Sequence, residues 1–220
     1  MENNGFIIQV ATASDVHYVQ EICNEIAASA AARGTGIAKR SEEYLKEKIL
    51  EGKAVIAFTK NKEWAGFCYI ETWGHGEYVA NSGLIISPQF RKSGLAKKIK
   101  QKIFLQSRTK YPHAKIFGLT TGLPVMKINS DLGYEPVTYS ELTDDDSFWM
   151  GCKSCVNYEI LMSKERKNCL CTAMLYDPVE KAKGKKTIWN VAKHSKLYER
   201  FMRFKQNILL KRQKEFKKKV

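Results

Sequence analysis

No apolar run in the sequence approaches the roughly 20 residues that a helix needs to cross a bilayer. The first residues, Met-Glu-Asn-Asn-Gly, lack the basic region and apolar stretch of a secretory signal. No internal repeat is visible either, so a repeat architecture is not expected. These absences point to a soluble, cytoplasmic protein without a membrane partner. Its six Cys are then expected to be mostly reduced rather than paired in disulfides.

What is present is core and charge. Hydrophobic residues make up 44% of the 220, enough for a packed interior rather than a disordered chain. The formal charge of +14 suggests a nucleic-acid binder until it is divided along the chain. After Pro178 there are 15 Lys and Arg against 3 Asp and Glu, leaving 22 against 20 before it. The body is close to neutral and the tail carries the basicity. We therefore expect a catalytic or binding domain over 1–178 and a basic linker and amphipathic helix over 179–220. The tail has no known nucleic-acid motif or aromatic platform. An appended solvated helix, able to pair two subunits in a homodimer, is favoured over nucleic-acid binding.

Phe6 to Val10 reads as a strand, and Thr12 with Asp15 as the cap of a helix whose apolar residues recur from Val16 to Ala30. A basic connection, Arg33-Gly-Thr-Gly-Ile-Ala-Lys-Arg40, leads to a second helix from Ser41 to about Leu50. Strands are expected over Ala54–Thr59, Trp64–Thr72, Tyr78–Ser87 and Lys115–Thr120. A basic helix over Gly94–Arg108 precedes the last of these, and a short helix, Val125–Asp131, follows it. Val156–Met162 and Leu170–Tyr176 read as a closing hairpin around the turn Ser163–Asn168. The order predicts a mixed α/β fold around a largely antiparallel sheet.

Chemistry concentrates in Gly83-Leu-Ile-Ile-Ser-Pro-Gln-Phe-Arg-Lys-Ser-Gly-Leu-Ala96, where a strand delivers the chain into a helix. Backbone N–H groups at a helix start lack intrahelical partners and favour an anion. Gly94 lets the backbone approach closely, Ala96 leaves room, and Arg91 and Lys92 add charge. A diphosphate suits such a loop.

The stretch resembles the coenzyme A-binding motif of the GNAT N-acetyltransferases, Arg/Gln-x-x-Gly-x-Gly/Ala after an apolar strand. Arg91, Gly94 and Ala96 match its fixed positions. The element order over residues 6–176 is similar to that fold, whose sheet is splayed at its centre. Asn129-Ser-Asp-Leu-Gly-Tyr134 looks like the family's second motif. The resemblance implies transfer of an acyl group from acetyl-CoA to an amine, without a metal. It implies that Leu84, Ile85, Ile86 and Ser87 pair with the pantetheine. Arg91, Lys92, Ser93, Gly94, Leu95 and Ala96 would hold the diphosphate, with Lys97 or Lys98 toward the adenosine.

Two positions depart from the pattern. Where relatives place a Tyr that protonates the leaving thiolate, this chain has Asn129, and Tyr134 is the alternative. Where protein-lysine acetylating members place a Glu base, this chain has Ala80. Glu71, His75 and Glu77 are the candidate bases just before that strand, His75 and Glu71 preferred. Leu119-Thr-Thr121 also resembles a run in the N-acetylglutamate synthases, implying an acidic amino-acid acceptor. Arg33, Lys39 and Arg40 would clamp its carboxylates, beside Thr120 and Thr121. The donor could carry acetyl or succinyl. The alternatives are acetylation of a protein or another amine, or a fold that binds acyl-CoA without turnover.

Cys152-Lys-Ser-Cys155 and Cys169-Leu-Cys171 invite a zinc reading. The inferred hairpin would hold the two pairs several residues apart, at about 3.3 Å per residue. Isolated thiols are expected instead of a metal site.

Overall fold

The computed structural model describes residues 5–33 and 40–182. Met1–Pro178 forms one compact unit, and of the second unit, Val179–Val220, only the first four residues are described. β1 (Phe6–Val10) leads through a 3₁₀ turn, Ala13–Tyr18, into α1 (Val19–Arg33). At that turn the Thr12 N–H donates to Asp15 Oδ2 at 2.8 Å, the predicted cap displaced by one turn of tighter helix. α2 (Glu42–Leu50) starts at Ser41, whose hydroxyl accepts from the Tyr44 N–H at 3.2 Å.

β2 (Ala54–Thr59), β3 (Trp64–Trp73) and β4 (Tyr78–Ile86) form an antiparallel meander continuing from β1. α3 (Leu95–Lys110), β5 (Lys115–Thr120) and α4 (Leu123–Asp131) follow. After them come β6 (Glu135–Val137), α5 (Asp146–Met150), α6 (Tyr158–Ser163), β7 (Thr172–Tyr176) and α7 (Pro178–Ala182). The seven strands lie in the order β1-β2-β3-β4-β5-β7-β6. Only β4 and β5 run parallel, and they pair over just Tyr78–Ala80 against Lys115–Phe117. Beyond Ala80 the two strands part. The sheet is therefore splayed at its centre, as expected.

Period-two alternation distributes the core between the two faces. Ala54, Ile56, Phe58, Phe67 and Tyr69 meet Ile22 and Ile26 of α1 and Leu45 and Ile49 of α2. Val55, Ala57, Ala65, Cys68 and Ile70 meet Leu95, Ile99 and Ile103 of α3. A third cluster joins Phe117, Ala173 and Leu175 to Tyr139, Trp149 and Leu161. No helix among the described residues is long and apolar enough to cross a membrane.

The expected closing hairpin is not formed. Tyr158–Ser163 is helical, and β7 pairs instead with β5 and β6. Glu159, Leu161 and Met162 are good helix formers, and Leu161 is the one residue of that helix buried against the third cluster. The second of the two last strands is thus β7, and the first is the three-residue β6.

Candidate functional site

Where β4 and β5 part, a cavity of about 530 Å³ opens. Asn81, Ser82, Gly83 and Leu84 form one edge, and Gly118 to Gly122 form the other. Residues from both faces of the sheet line it: Tyr44 and Lys48 of α2, and Lys100 of α3 with Asn129 of α4. The cavity therefore passes through the break in the sheet. A β-bulge keeps this edge open, because Tyr69 pairs with Ser82 while Phe67 pairs with Ile85. Gly83 sits in the bulge with φ +63°, and a Cβ there would stand 2.2 Å from the Tyr69 ring. Only glycine meets both demands.

On the α2 side, polar groups gather around Glu71. The Tyr44 hydroxyl donates to Glu71 Oε1, and the Arg40 guanidinium lies 3.5 Å from the same oxygen. Arg40 Nε also donates to the Tyr69 hydroxyl at 2.7 Å. Burial, followed by the Glu71 charge, pushes both tyrosine hydroxyls well above the usual range, so both remain protonated donors. Glu71 stands directly across from Ala80 in the β3–β4 register, so the two side chains share a face.

On the α3 side, Asn129 is buried and its Oδ1 has no hydrogen-bond partner. Its amide donates a long contact of 3.8 Å to Met174 Sδ. Lys100 is also buried, and desolvation holds its ammonium below the usual lysine range. The Tyr134 hydroxyl donates to Asn81 Oδ1 at 3.1 Å, and Asn81 Nδ2 donates to Ser107 Oγ at 2.7 Å.

At the far end of β4 the chain turns through Pro88–Phe90 into α3. None of the five backbone N–H groups from Lys92 to Ala96 donates to a backbone acceptor among the described residues. Gly94 has φ +80° and open space where a Cβ would stand, so torsion rather than crowding calls for glycine here. Arg91 pairs with Glu25 at 2.6 Å and reaches Ser29 at 2.8 Å. Lys97 pairs with Asp131 at 2.7 Å.

No family model matches the sequence, and no curated protein matches it. Solved structures do resemble it. N-acetylglutamate synthase from Neisseria gonorrhoeae, complexed with coenzyme A and N-acetyl-glutamate, superposes with a TM-score of 0.56 at 16% identity. That match covers 80% of this chain and 36% of the other, so the chain spans about a third of that synthase. An acetyltransferase of the GNAT family from Staphylococcus aureus gives 0.55 at 12% identity, covering 79% of this chain and 99% of its own. A Mycobacterium tuberculosis protein in complex with CoA gives 0.54 at 14%, covering 78% and 98%. The fold is that of the GNAT acetyltransferases.

Within the GNAT fold, most of the residues singled out from sequence fall into three groups. Glu71, Asn129, Arg40, Thr120, Thr121 and Leu84 line the cavity together. Arg91, Lys92, Ser93, Gly94, Leu95 and Ala96 surround the helix start. Ile85, Ile86 and Ser87 connect the two regions, with Ile85 and Ser87 buried. Tyr134 is a core residue outside the lining; burial pushes its hydroxyl up, and it supports Asn81 from behind. His75 is exposed in the β3–β4 turn at φ +54° and does not line the cavity. Lys39 and the Arg33 side chain lie outside the described residues.

The GNAT fold also gathers residues that the sequence reading missed. Tyr44, Tyr69, Asn81 and Lys100 all line the cavity. Cys152, Cys155, Cys169 and Cys171 line it too, because the hairpin that would have separated them is absent. The Asn157 N–H donates to Cys155 Sγ at 3.4 Å, and the Cys169 thiol lies 3.8 Å from the Asn157 carbonyl. Burial first, then the neighbouring cysteines, push Cys152 up to about 11 and Cys171 up to about 12. These are protonated, weakly nucleophilic thiols at neutral pH. Among the described residues no group of three or more His, Cys, Asp or Glu is placed to hold a metal ion.

Proposed function

We propose that residues 1–178 act as an acyl-CoA-dependent N-acyltransferase whose acceptor is glutamate or a similar acidic amino acid. The observation that carries this reading is the continuity of β4. The strand leads from the cavity at Asn81 to the turn Pro88–Phe90, which delivers the chain to the N–H groups of Lys92–Ala96. Six residues separate Ser87 from Asn81, at most about 20 Å and less for the bulge at Gly83, a length suited to an extended pantetheine arm. The edge of β4 that parts from β5 past Ala80 supplies backbone groups for that arm. The buried, unpartnered Asn129 Oδ1 supplies an acceptor for an amide N–H.

The acceptor end suits a zwitterion. An arriving α-carboxylate competes with Glu71 for the Arg40 guanidinium, whose planar fork matches it. Glu71 is then left to hold the ammonium and to take its proton, the work of a general base. Lys48 of α2, whose ammonium lies 4.8 Å from the centre of the Tyr44 ring, also lines the cavity and would meet a second carboxylate. The partner exchange replaces one ion pair by two and leaves no buried charge alone. Acetyl and succinyl donors both remain within this reading.

A matrix of acyl-CoA donors against amines, read by thiol release, tests it. Turnover with glutamate and not with lysine peptides is the expected pattern. Preference for lysine peptides would overturn the acceptor assignment, and absence of CoA binding would overturn the donor assignment.

A further inference from the structure

Lys100 is the buried member of a helix otherwise edged by solvent-facing lysines. Its side chain is 2% exposed and lines the cavity on the face opposite Glu71. It forms no ion pair among the described residues. Its ammonium lies 5.6 Å from the centre of the Tyr134 ring. The titratable groups around it are the Cys68 thiol on β3 and Tyr134 after α4, with Tyr176 of β7 facing Tyr134. A structural lysine normally extends its amine to water or meets a carboxylate. Lys100 does neither.

We propose that Lys100 is the proton donor to the sulfur that departs when the acyl group is transferred, an assignment resting on the acyltransferase reading above. The amine nitrogen forms its bond to the thioester carbonyl carbon from the Glu71 side, and the carbon–sulfur bond breaks toward α3. The sulfur takes its proton from the Lys100 ammonium. Glu71 passes the first proton of the ammonium to solvent before attack, then takes the second from the nitrogen as the amide forms and passes it on likewise, and solvent returns one to Lys100 before the next turnover. This places a donor on the side of the thioester where Asn129, a poor acid, stands in the second motif.

Two physical features suit Lys100 to the task. Desolvation moves its pKa down from 10.5 toward that of a thiol, about 8.5, which brings proton transfer closer to thermoneutral. Its charge is also not neutralised in advance by a carboxylate, so it offsets the negative charge developing on sulfur in a site shielded from water.

The test compares wild type with Lys100→Met and Lys100→Arg, each checked for folding by its melting transition. CoA and desulfo-CoA are titrated by calorimetry, and the bound CoA thiol is titrated by its ultraviolet thiolate absorbance. The expected result is wild-type affinity of Lys100→Met for desulfo-CoA and a raised pKa of the bound CoA thiol. Turnover falls about 10²-fold. In wild type, kcat falls as pH rises through the Lys100 pKa. Lys100→Arg keeps the charge, cannot release its proton, and loses that alkaline limb. Equal weakening of CoA and desulfo-CoA, or an unchanged thiol pKa in Lys100→Met with CoA still bound, overturns the assignment alone. Failure of wild type to bind CoA overturns it together with the acyltransferase reading.

Discussion

The helix start at one end of β4 and the Glu71 cluster at the other solve the same problem, holding charge, by opposite means. At Lys92–Ala96 the groups proposed to bind the diphosphate are consecutive backbone N–H groups, set by the left-handed torsions at Lys92 and Gly94 and by the start of α3. At Glu71 they are side chains from α2, β3 and the segment before α2, mutually bonded and largely buried. The first depends on local geometry, including the left-handed torsion at Gly94. The second depends on partners far apart in sequence, so removing one leaves the others uncompensated.

Glu71→Gln should show this contrast most strongly. Loss of the base is expected to lower kcat about 10²–10³-fold with CoA affinity unchanged, read by thiol release beside calorimetry. Equal loss of CoA affinity would show that the two ends are not separable. Gly83→Ala is expected next, at a cost of about 2–4 kcal/mol in denaturant unfolding, since it combines a strained torsion with a collision at Tyr69. A cost below about 1 kcal/mol would mean the bulge relaxes readily.

At the exposed end the effects should be smaller. Arg91→Ala is expected to weaken CoA about tenfold and to flatten the salt dependence of binding, because Arg91 already has Glu25 to satisfy. An unchanged salt slope would assign the diphosphate wholly to the backbone. The smallest effect is on stability. Lys100 in the folded chain releases its proton at lower pH than in the unfolded chain, where it holds it to about 10.5. Between those two pH values the unfolded state binds more protons, so wild-type stability rises with pH. Lys100→Met should remove that rise and melt a few degrees higher at neutral pH. A lower melting point would show that Lys100 contributes packing instead.

The difference between the two ends also explains what could be read from sequence. The proposed diphosphate loop is contiguous, so its glycine, small residue and cations stand together in the chain. The capping pair Thr12 and Asp15 is legible for the same reason. Glu71 is a candidate base from sequence alone, but its hydrogen-bond partner Tyr44 comes from α2 and leaves no local signal beside it. Lys100 is one of many lysines in a basic helix. Its only trace is position, four residues after Ala96 and three before Ile103, on the apolar face. The closing hairpin misled because Val156–Met162 alternates weakly and its β-branched residues outweighed Glu159 and Met162. That error also hid the convergence of four cysteines on the cavity wall.

The place of β7 between β5 and β6 sets a timetable for assembly. Residues 115–120 find their antiparallel neighbour only when residues 172–176 have been synthesised, so both that flank of the sheet and the thiol-lined wall are completed last. The meander β1–β4 and α3 can collapse earlier from contacts closer in sequence. A nascent chain halted before Thr172 would therefore carry a finished α3 start beside an unfinished cavity wall, with the apolar faces of Phe117 and Leu119 exposed to chaperones.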